Sequence, residues 1–220
     1  MRALVVGVGP GLSASFARAL AGAGYEVALA ARDVGKLAGL AAEIGASVHA
    51  CDAGDAGAVA GLFAAVPDAE VVLFNASYRV RGPFVSLDAG EVERTLRVSA
   101  FAGFLVAQGA AKGMVAAGRG TILLTGASAG VKGYAQSAPF AMGKFALRGL
   151  AQSMARELHP LGVHVIHVVV DGGIRRAGAG DAEDATLEPD AIAGTMMDLV
   201  RQPRSCWTDE IAVRPWVERF

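Results

Sequence analysis

The sequence predicts a doubly wound α/β fold, in which helices cover both faces of a mostly parallel sheet of six to seven strands. Six short apolar runs recur along the chain, and the strands of a parallel sheet read as continuous apolar runs because both of their faces are buried. Segments with apolar residues at helical spacing lie between these runs. This alternation of strand and helix is typical of a parallel sheet with right-handed crossovers.

In chain order, the predicted strands cover residues 3–8, 26–31, 46–51, 70–75, 120–125 and 163–170, and a seventh short strand is predicted around 208–214. Helices are predicted over residues 13–22, 33–43, 91–117 and 138–159. A segment rich in Gly, Ala and acidic residues follows the sixth strand, and it predicts a surface loop around 172–190 that covers the substrate pocket. No repeat or linker divides the chain, so we expect a single domain over residues 1–220.

The composition argues against nucleic-acid and membrane partners. The 220 residues carry 20 Lys and Arg against 21 Asp and Glu, so no basic field attracts phosphate backbones or anionic lipids. The mean hydropathy is +0.42, yet no uninterrupted apolar run reaches the roughly 18 to 20 residues that a bilayer helix needs. The first residues lead into a glycine turn instead of a signal-peptide cleavage site, so we expect a cytoplasmic protein. Cys51 and Cys206 are too few for a disulfide scaffold, and we expect both to be reduced thiols in the core.

Gly7, Gly9 and Gly11 form a glycine-rich turn between the first strand and the first helix. Such a turn aims backbone N–H groups and a helix N-terminus at a phosphate group. Between a strand and a helix, the spacing favours a Rossmann dinucleotide site, but it also resembles the nucleotide loop of S-adenosylmethionine-dependent methyltransferases. A tight turn without a ligand is the third interpretation.

The end of the second strand bears on the choice among these ligands. NAD-selective enzymes and methyltransferases usually place Asp or Glu there to accept from ribose hydroxyls, whereas this chain has Arg32 followed by Asp33. An arginine beside the ribose suits a 2′-phosphate, so the sequence predicts NADP(H) in preference to NAD(H). The alternatives are a solvated surface role for Arg32 and a helix-capping role for Asp33.

Further motifs resemble those of the short-chain dehydrogenase/reductase family over nearly the whole chain. The glycine loop of that family is similar to residues 7–13, with Ser13 in place of the third glycine. Its adenine-contacting aspartate resembles Asp52, and its Asn-Ala-Gly motif is similar to the segment that begins at Asn75. The resemblance implies that the cofactor is held by Gly7, Gly9, Gly11, Leu12, Arg32, Asp52, Ala53, Asn75, Lys144, Gly173 and Ile174.

The catalytic positions implied by the resemblance have mostly lost their usual groups. The family's Tyr-x-x-x-Lys pair corresponds to Phe140 and Lys144, and a phenylalanine has no proton to give to a substrate oxygen. The family's serine falls on Ala127, with a hydroxyl displaced to Ser128, and its asparagine falls on Ser99. The resemblance therefore implies an incomplete catalytic set in which Lys144 remains to hold the ribose.

Tyr134, Ser137, Tyr78 and Asp171 are the candidates for a substitute proton donor. The first two lie on the loop before Phe140, and Tyr78 follows the fourth strand. Asp171 follows the sixth strand, at the edge where open α/β sheets bind ligands, and burial of a carboxylic acid favours the protonated form that can donate. Each also has a plainer interpretation, as a pocket wall, a surface residue or, for Asp171, a turn residue that hydrogen-bonds the following glycines.

Two hypotheses for the function follow. The first is an NADP(H)-dependent oxidoreductase of short-chain dehydrogenase/reductase type, with a non-standard active site and a small-molecule substrate. The alternative is a catalytically silent dinucleotide-binding subunit with a regulatory or structural role. The helices predicted over 91–117 and 138–159 resemble those through which family members pair, which implies a homodimer or homotetramer. No metal site is predicted, because His164 and His167 are three apart on a strand and therefore face opposite sides.

Overall fold

Seven strands form one parallel sheet in the computed structural model, which describes residues 1–176, 179–181 and 183–218. The strands are β1 (Arg2–Val6), β2 (Glu26–Ala31), β3 (Ser47–Ala50), β4 (Ala69–Phe74), β5 (Gly120–Thr125), β6 (Val163–Val170) and β7 (Glu210–Val213). Their order is β3-β2-β1-β4-β5-β6-β7, and every neighbouring pair is parallel. The doubly wound parallel sheet is confirmed, and the ends of every predicted strand lie within two residues of the observed ones.

The helices are α1 (Leu12–Gly22), α2 (Ala38–Ile44), α3 (Ala56–Ala65), α4 (Ala89–Leu96), α5 (Ala102–Ala117), α6 (Ala138–Leu158) and α7 (Pro189–Val200). The prediction lacks α3 and α7, and in α3 the small apolar residues lie on every side, so no helical period stands out. The predicted helix 33–43 begins instead with a 3-10 turn, Val34–Leu37, which Asp33 caps. The predicted helix 91–117 is interrupted by a π-helical turn, Arg97–Phe101.

The core has two halves, because helices cover both faces of the sheet. On one face, Val59, Val106 and Leu147 of α3, α5 and α6 pack against the strands. On the other face, Phe16 of α1 and the apolar side of α7 do the same. Small residues allow the close packing, since a Cβ on Gly103 of α5 would lie only 2.5 Å from Leu147 Cδ1. A sheet buried on both sides accounts for the apolar, glycine-rich composition.

The expectation that both cysteines lie in the core was wrong for one of them. Cys206 is exposed, whereas Cys51 is buried as expected.

Within the described residues, the helical run Ala89–Ala117 is long and apolar enough to cross a membrane by length and composition, although Lys112 interrupts its apolar residues. Its Ala102 and Ala110 side chains are buried in the core, which is how a core helix of a globular protein packs.

The loop after β6 folds back on itself before α7 begins. The Gly173 carbonyl accepts a hydrogen bond from the Leu187 N–H at 2.8 Å, and Ile174 forms an isolated parallel bridge with Leu187. Asp181 accepts two backbone hydrogen bonds within the loop, at 3.0 and 2.7 Å. The loop predicted over 172–190 therefore ends in the first turn of α7, and its positions 177, 178 and 182 lie outside the described residues. Its role as a lid stays a prediction.

Replacing Gly7 with alanine is expected to destabilise the junction of β1 and β4. Gly7 has a φ of +82°, and a Cβ there would lie 2.4 Å from the backbone N of Ala76. Gly9→Ala is the matched control, because a Cβ on Gly9 meets nothing within 4 Å. We expect Gly7→Ala to lower the free energy of unfolding in urea by about 2 kcal/mol or more, because positive φ and a backbone clash both add strain. Equal unfolding midpoints for the two variants would contradict this close approach.

Candidate active site

A cleft of about 820 Å³ opens at the carboxyl ends of β1, β2, β3 and β4. It lies where the strand order reverses, with β2 on one side of β1 and β4 on the other, and open α/β sheets bind their ligands at this position. Its walls contain six of the predicted cofactor residues, namely Gly7, Gly9, Arg32, Asp52, Ala53 and Asn75. The predicted residues beside or outside its walls are Gly11, Leu12, Lys144, Gly173 and Ile174.

The glycine turn after β1 leaves room above the N-terminus of α1. A Cβ on Gly9 or Gly11 would meet no atom within 4 Å. Gly11 caps α1 without a side-chain hydrogen bond, so the first N–H groups of the helix keep their capacity to bind an anion. The Gly9 N–H is engaged differently, because it donates to Ser13 Oγ at 2.9 Å. Leu12, the first residue of α1, is buried and contributes packing.

Arg32 is an exposed cation at the end of β2, in the wall of the cleft. Its neighbour Asp33 is engaged, since Oδ1 accepts from the Gly35 N–H at 3.2 Å and Oδ2 pairs with Lys36 at 3.1 Å. The capping role of Asp33 is therefore confirmed. Arg32 forms no ion pair with any carboxylate of the described chain, so its guanidinium keeps the capacity to bind an anionic ligand.

Asp52 and Asn75 hold the turns that form the opposite wall. Asp52 Oδ1 accepts from the Gly54 N–H at 3.0 Å. The Asn75 N–H donates to the Val6 carbonyl at 2.9 Å, and Asn75 Nδ2 donates to the Gly7 carbonyl at 3.4 Å. The two Asn75 bonds tie the end of β4 to the end of β1.

Lys144 lies on α6, beside the end of β5. Its side chain is 3% exposed, and Nζ donates to the Thr125 carbonyl at 2.7 Å. Burial lowers the pKa of Lys144 from 10.5 to about 8. Within the described chain this is the hydrogen bond of the ammonium group, so two of its N–H groups remain for a ligand.

Phe140 precedes Lys144 by one helical turn, and two cations lie against its ring. Lys144 Nζ is 5.8 Å from the centroid of the Phe140 ring. Arg79, on the turn after β4, has its Cζ 4.9 Å from the same centroid. The position where the family resemblance implies a proton donor is therefore a ring flanked by positive charge. Sequence reasoning missed Arg79, because the arginines of this turn, Arg79 and Arg81, match no motif.

Tyr78 is hydrogen-bonded to Ser99 and to Glu91 of α4. Ser99 Oγ accepts from the Tyr78 N–H at 3.2 Å. The Tyr78 hydroxyl donates to Glu91 Oε2 at 2.6 Å, and this hydrogen bond raises the pKa of Tyr78. Arg94 Cζ lies 4.3 Å from the centroid of the Tyr78 ring. Tyr78 is thus committed to Glu91 instead of facing a substrate, and Ser99 shapes the turn after β4.

The remaining candidate donors surround the same strand ends. Tyr134 is 43% exposed. Ser137 is buried, and its Oγ has no hydrogen-bond partner in the described part of the chain. Ser128 opens the 3-10 turn after β5. Asp171 is buried at the end of β6, where its Oδ2 lies 3.5 Å from Arg214 Nε, so its carboxyl group is an ion-pair partner.

A partly buried ionic cluster between α6 and β7 also escaped sequence reasoning. Glu210 accepts from the Arg148 guanidinium at 2.6 and 2.7 Å, and its Oε2 lies 2.9 Å from His167 Nδ1. Arg148 lowers the pKa of Glu210, and burial lowers the pKa of His167. The signal available in the sequence was the spacing of Lys144 and Arg148, which places two cations on one face of α6.

The two histidines of β6 face opposite sides of the sheet, as predicted. His164 stacks on Trp207, with ring centroids 4.6 Å apart, whereas His167 binds Glu210. Among the described residues, no group of three or more His, Cys, Asp or Glu side chains is arranged to hold a metal ion.

A family model described as short chain dehydrogenase matches residues 1–180. The chain belongs to the short-chain dehydrogenase family. The 3-oxoacyl-(acyl-carrier-protein) reductase MabA of Mycobacterium tuberculosis is 30% identical over 175 residues, which cover 78% of this chain and 68% of that protein. The cyclic-di-GMP-binding biofilm dispersal mediator protein of Escherichia coli is 30% identical over 175 residues, covering 78% and 72%. The crystal structure of a metagenomic short-chain oxidoreductase in complex with NADP is 32% identical, with a TM-score of 0.87, and covers 99% of this chain and 97% of that one.

Membership of the short-chain dehydrogenase family explains the strand order and the position of the cleft. It also gives meaning to the departures at Phe140, Ala127 and Ser99, which stand where the family resemblance implies tyrosine, serine and asparagine. Six of the predicted cofactor residues line one cleft.

The buried ammonium of Lys144 predicts a pH dependence of stability. Its pKa is about 8 in the folded protein, against 10.5 for an ordinary lysine, so the unfolded chain binds more protons between these values. Stability therefore rises with pH across this window, by up to about 3 kcal/mol. We expect Lys144→Met, which keeps the length of the side chain, to abolish this rise. Free energies of unfolding in urea at about pH 7.5 and about pH 10.5 measure it, and an equal rise in both proteins would contradict the burial of a charged lysine.

Proposed function

We propose that this protein is an NADP(H)-dependent oxidoreductase whose active site works without the tyrosine of its family. The observation that carries the proposal is the cleft at the strand reversal, with an open glycine turn on one wall and Arg32 on the other. The family match supports an oxidoreductase, and the relative in complex with NADP supports the choice of cofactor class. The substrate in this proposal is a small molecule.

The residues of the cleft fit a dinucleotide. The uncapped N-terminus of α1 behind Gly11 would hold the pyrophosphate, and Arg32 would hold the 2′-phosphate that distinguishes NADP from NAD. Asp52, in the wall of the cleft, would contact the adenine, and the free N–H groups of Lys144 would hold ribose hydroxyls. The bound nicotinamide would supply a hydride.

The replacement of tyrosine by Phe140 limits the substrates that such an enzyme reduces. General acid catalysis contributes about 10²- to 10⁴-fold to a rate, whereas the positioning of two reactants contributes as much or more. A site that positions its reactants but lacks a donor at residue 140 favours acceptors that need little protonation, such as an activated alkene or a quinone. Tyr134 remains a candidate for a substitute donor. Asp171 is a candidate only in its protonated form, because its carboxyl group is paired with Arg214, 3.5 Å away.

The second candidate function is a catalytically silent subunit that binds a dinucleotide and acts through its conformation or its partners. The losses at Phe140, Ala127 and Ser99 favour it. A relative of equal similarity also carries the name of a binding and dispersal mediator instead of an enzyme.

Exposed apolar side chains at the start of α5 and on α6 support self-association, so we propose a homodimer or homotetramer. We place this assembly in the cytoplasm. Phe101 and Phe104 stack with centroids 6.3 Å apart, and they are 46% and 40% exposed. Met142 and Phe145 on α6 are 48% and 44% exposed. Apolar patches of this kind mark protein interfaces, and these two helices are those that resemble the pairing helices of the family.

Calorimetric titration of NADPH and NADH tests the cofactor. We expect NADPH to bind more tightly, and Arg32→Ala to weaken NADPH by about tenfold or more, because a charged hydrogen-bond partner is lost, while NADH changes little. Arg119→Ala is the control, since Arg119 pairs with Glu70 at the opposite edge of the sheet, 3.8 Å away. Equal effects of Arg32→Ala on both nucleotides would reject the 2′-phosphate role.

NADPH oxidation over a panel of carbonyls, enones and quinones separates the two candidate functions. We expect the wild type to oxidise NADPH with an enone or a quinone, and the Phe140→Tyr/Ala127→Ser double variant to gain about 10²- to 10⁴-fold on simple carbonyls. Turnover by the double variant but none by the wild type would favour the silent subunit. Failure of both nucleotides to bind would reject both functions.

A further inference from the structure

The turn after β4, residues 76–83, places Arg79 beside Phe140 and carries a second arginine, Arg81, near Arg79. Arg79 Cζ lies 4.9 Å from the centroid of the Phe140 ring. Burial and the neighbouring charge of Arg81 lower the pKa of Arg79, so the two guanidinium groups repel each other. Neither of them forms an ion pair within the described chain. By contrast, Arg94 on the adjacent helix is paired with Glu91, 3.7 Å away.

The position of this turn is imposed by its surroundings. The Tyr78 N–H is fixed to Ser99 Oγ at 3.2 Å, and the Tyr78 hydroxyl is fixed to Glu91 at 2.6 Å. At the other end, the Gly82 N–H donates to the Gln136 carbonyl at 3.1 Å. The arginines between these anchors are therefore held together despite their repulsion. Like charges in such an arrangement attract an anion.

The two arginines do not belong to the wall of the cofactor cleft. Ser77 lies in the wall of the cofactor cleft, but Arg79 and Arg81 of the same turn do not. Arg79 lies over the ring of Phe140, the residue that stands where the family resemblance implies the tyrosine. The positive charge of Lys144 lies 5.8 Å from the same ring.

The nearby carboxylates do not neutralise this region. Glu91 is bound by the Tyr78 hydroxyl and by Arg94. Asp171 faces Arg214, 3.5 Å away. A further cation, Lys132, lies over the ring of Tyr134 at 5.4 Å. The substrate side of the site therefore carries an excess of positive charge in a chain whose formal net charge is −1.

We propose that the surface over Phe140, where Arg79 is exposed, selects substrates that carry a carboxylate, and that Arg79 is the side chain that binds it. A guanidinium donates two parallel hydrogen bonds to a carboxylate, which adds direction to the charge attraction. The neutral analogue lacks the charge attraction, so it binds more weakly. Arg81 strengthens the field without contacting the ring. This assignment deepens the proposed function, and it rests on that function for the identification of Phe140 as part of the substrate site.

Two pairs of probes test the assignment by calorimetry, namely benzoylformate with its methyl ester and pyruvate with its methyl ester. Each pair shares one carbonyl and differs in the charge of the carboxylate. In protein with and without NADPH, we expect at least one acid to bind about tenfold or more tightly than its ester. Arg79→Gln should lose this difference by weakening the acid alone, and Arg79→Lys should retain part of it, because a lysine keeps the charge but not the fork.

Arg119→Gln serves as the control for a lost surface charge and should leave both acid and ester unchanged. NADPH affinity reports the fold of Arg79→Gln and should be that of the wild type, since Arg79 lies outside the cofactor cleft. The proposal is overturned if neither acid binds, if acid and ester bind equally, or if Arg79→Gln binds the acid like the wild type. A preference for the acid in a wild type that binds no NADPH would reject the proposed function and leave the anion site standing.

Discussion

The end of β1 lies so close to the turn after β4 that Gly7 has no room for a side chain, and this contact determines where the polar groups of the chain meet. A Cβ on Gly7 would lie 2.4 Å from the Ala76 nitrogen, and Asn75 bonds the backbone of β1 across the same junction. Because the sheet is parallel, the carboxyl ends of all strands lie on one edge, and the reversal beside β1 leaves a crevice there. The opposite edge carries ordinary surface pairs, such as Arg2 with Glu26.

The two cations on the inner face of α6, Arg148 and Lys144, have different partners. Arg148 is neutralised by Glu210, which stands opposite His167 in the β6–β7 register. A partly buried pair of this kind contributes little net stability, but it penalises any register in which the partners separate, so it holds the short edge strand β7 in place. One turn earlier, Lys144 has a backbone carbonyl as its partner, so its charge remains uncompensated and its pKa falls to about 8. The first arrangement supports the fold, and the second leaves a cation beside the site.

The sequence predicted what depends on periodicity and on motifs. The strands follow from continuous apolar runs, and the cleft residues Gly7, Arg32, Asp52 and Asn75 follow from their places after those strands. Features that depend on tertiary partners were missed. The bond of the Tyr78 hydroxyl to Glu91 needs the position of α4 relative to the turn after β4, and no spacing in the sequence encodes that position. The exposure of Cys206 and the ring contact of Arg79 are likewise set by packing between distant segments.

On the substrate side of the site, charge stabilisation and proton donation are two separate contributions. When negative charge develops on a substrate oxygen, a tyrosine stabilises it and also supplies a proton, whereas a guanidinium stabilises it but does not give up its proton at ordinary pH. With Phe140 in the site, Arg79 against its ring supplies only the first of these contributions, whereas the Lys144 ammonium, with a pKa of about 8, can also release a proton. Lys144 Nζ is already bonded to the Thr125 carbonyl and lies 5.8 Å from the ring centroid of Phe140, so its proton transfer is less direct than that of a tyrosine at residue 140. In the proposed oxidoreductase, this less direct transfer favours acceptors whose anions are delocalised, such as conjugated alkenes and quinones, over simple ketones, whose localised alkoxides need a proton at once.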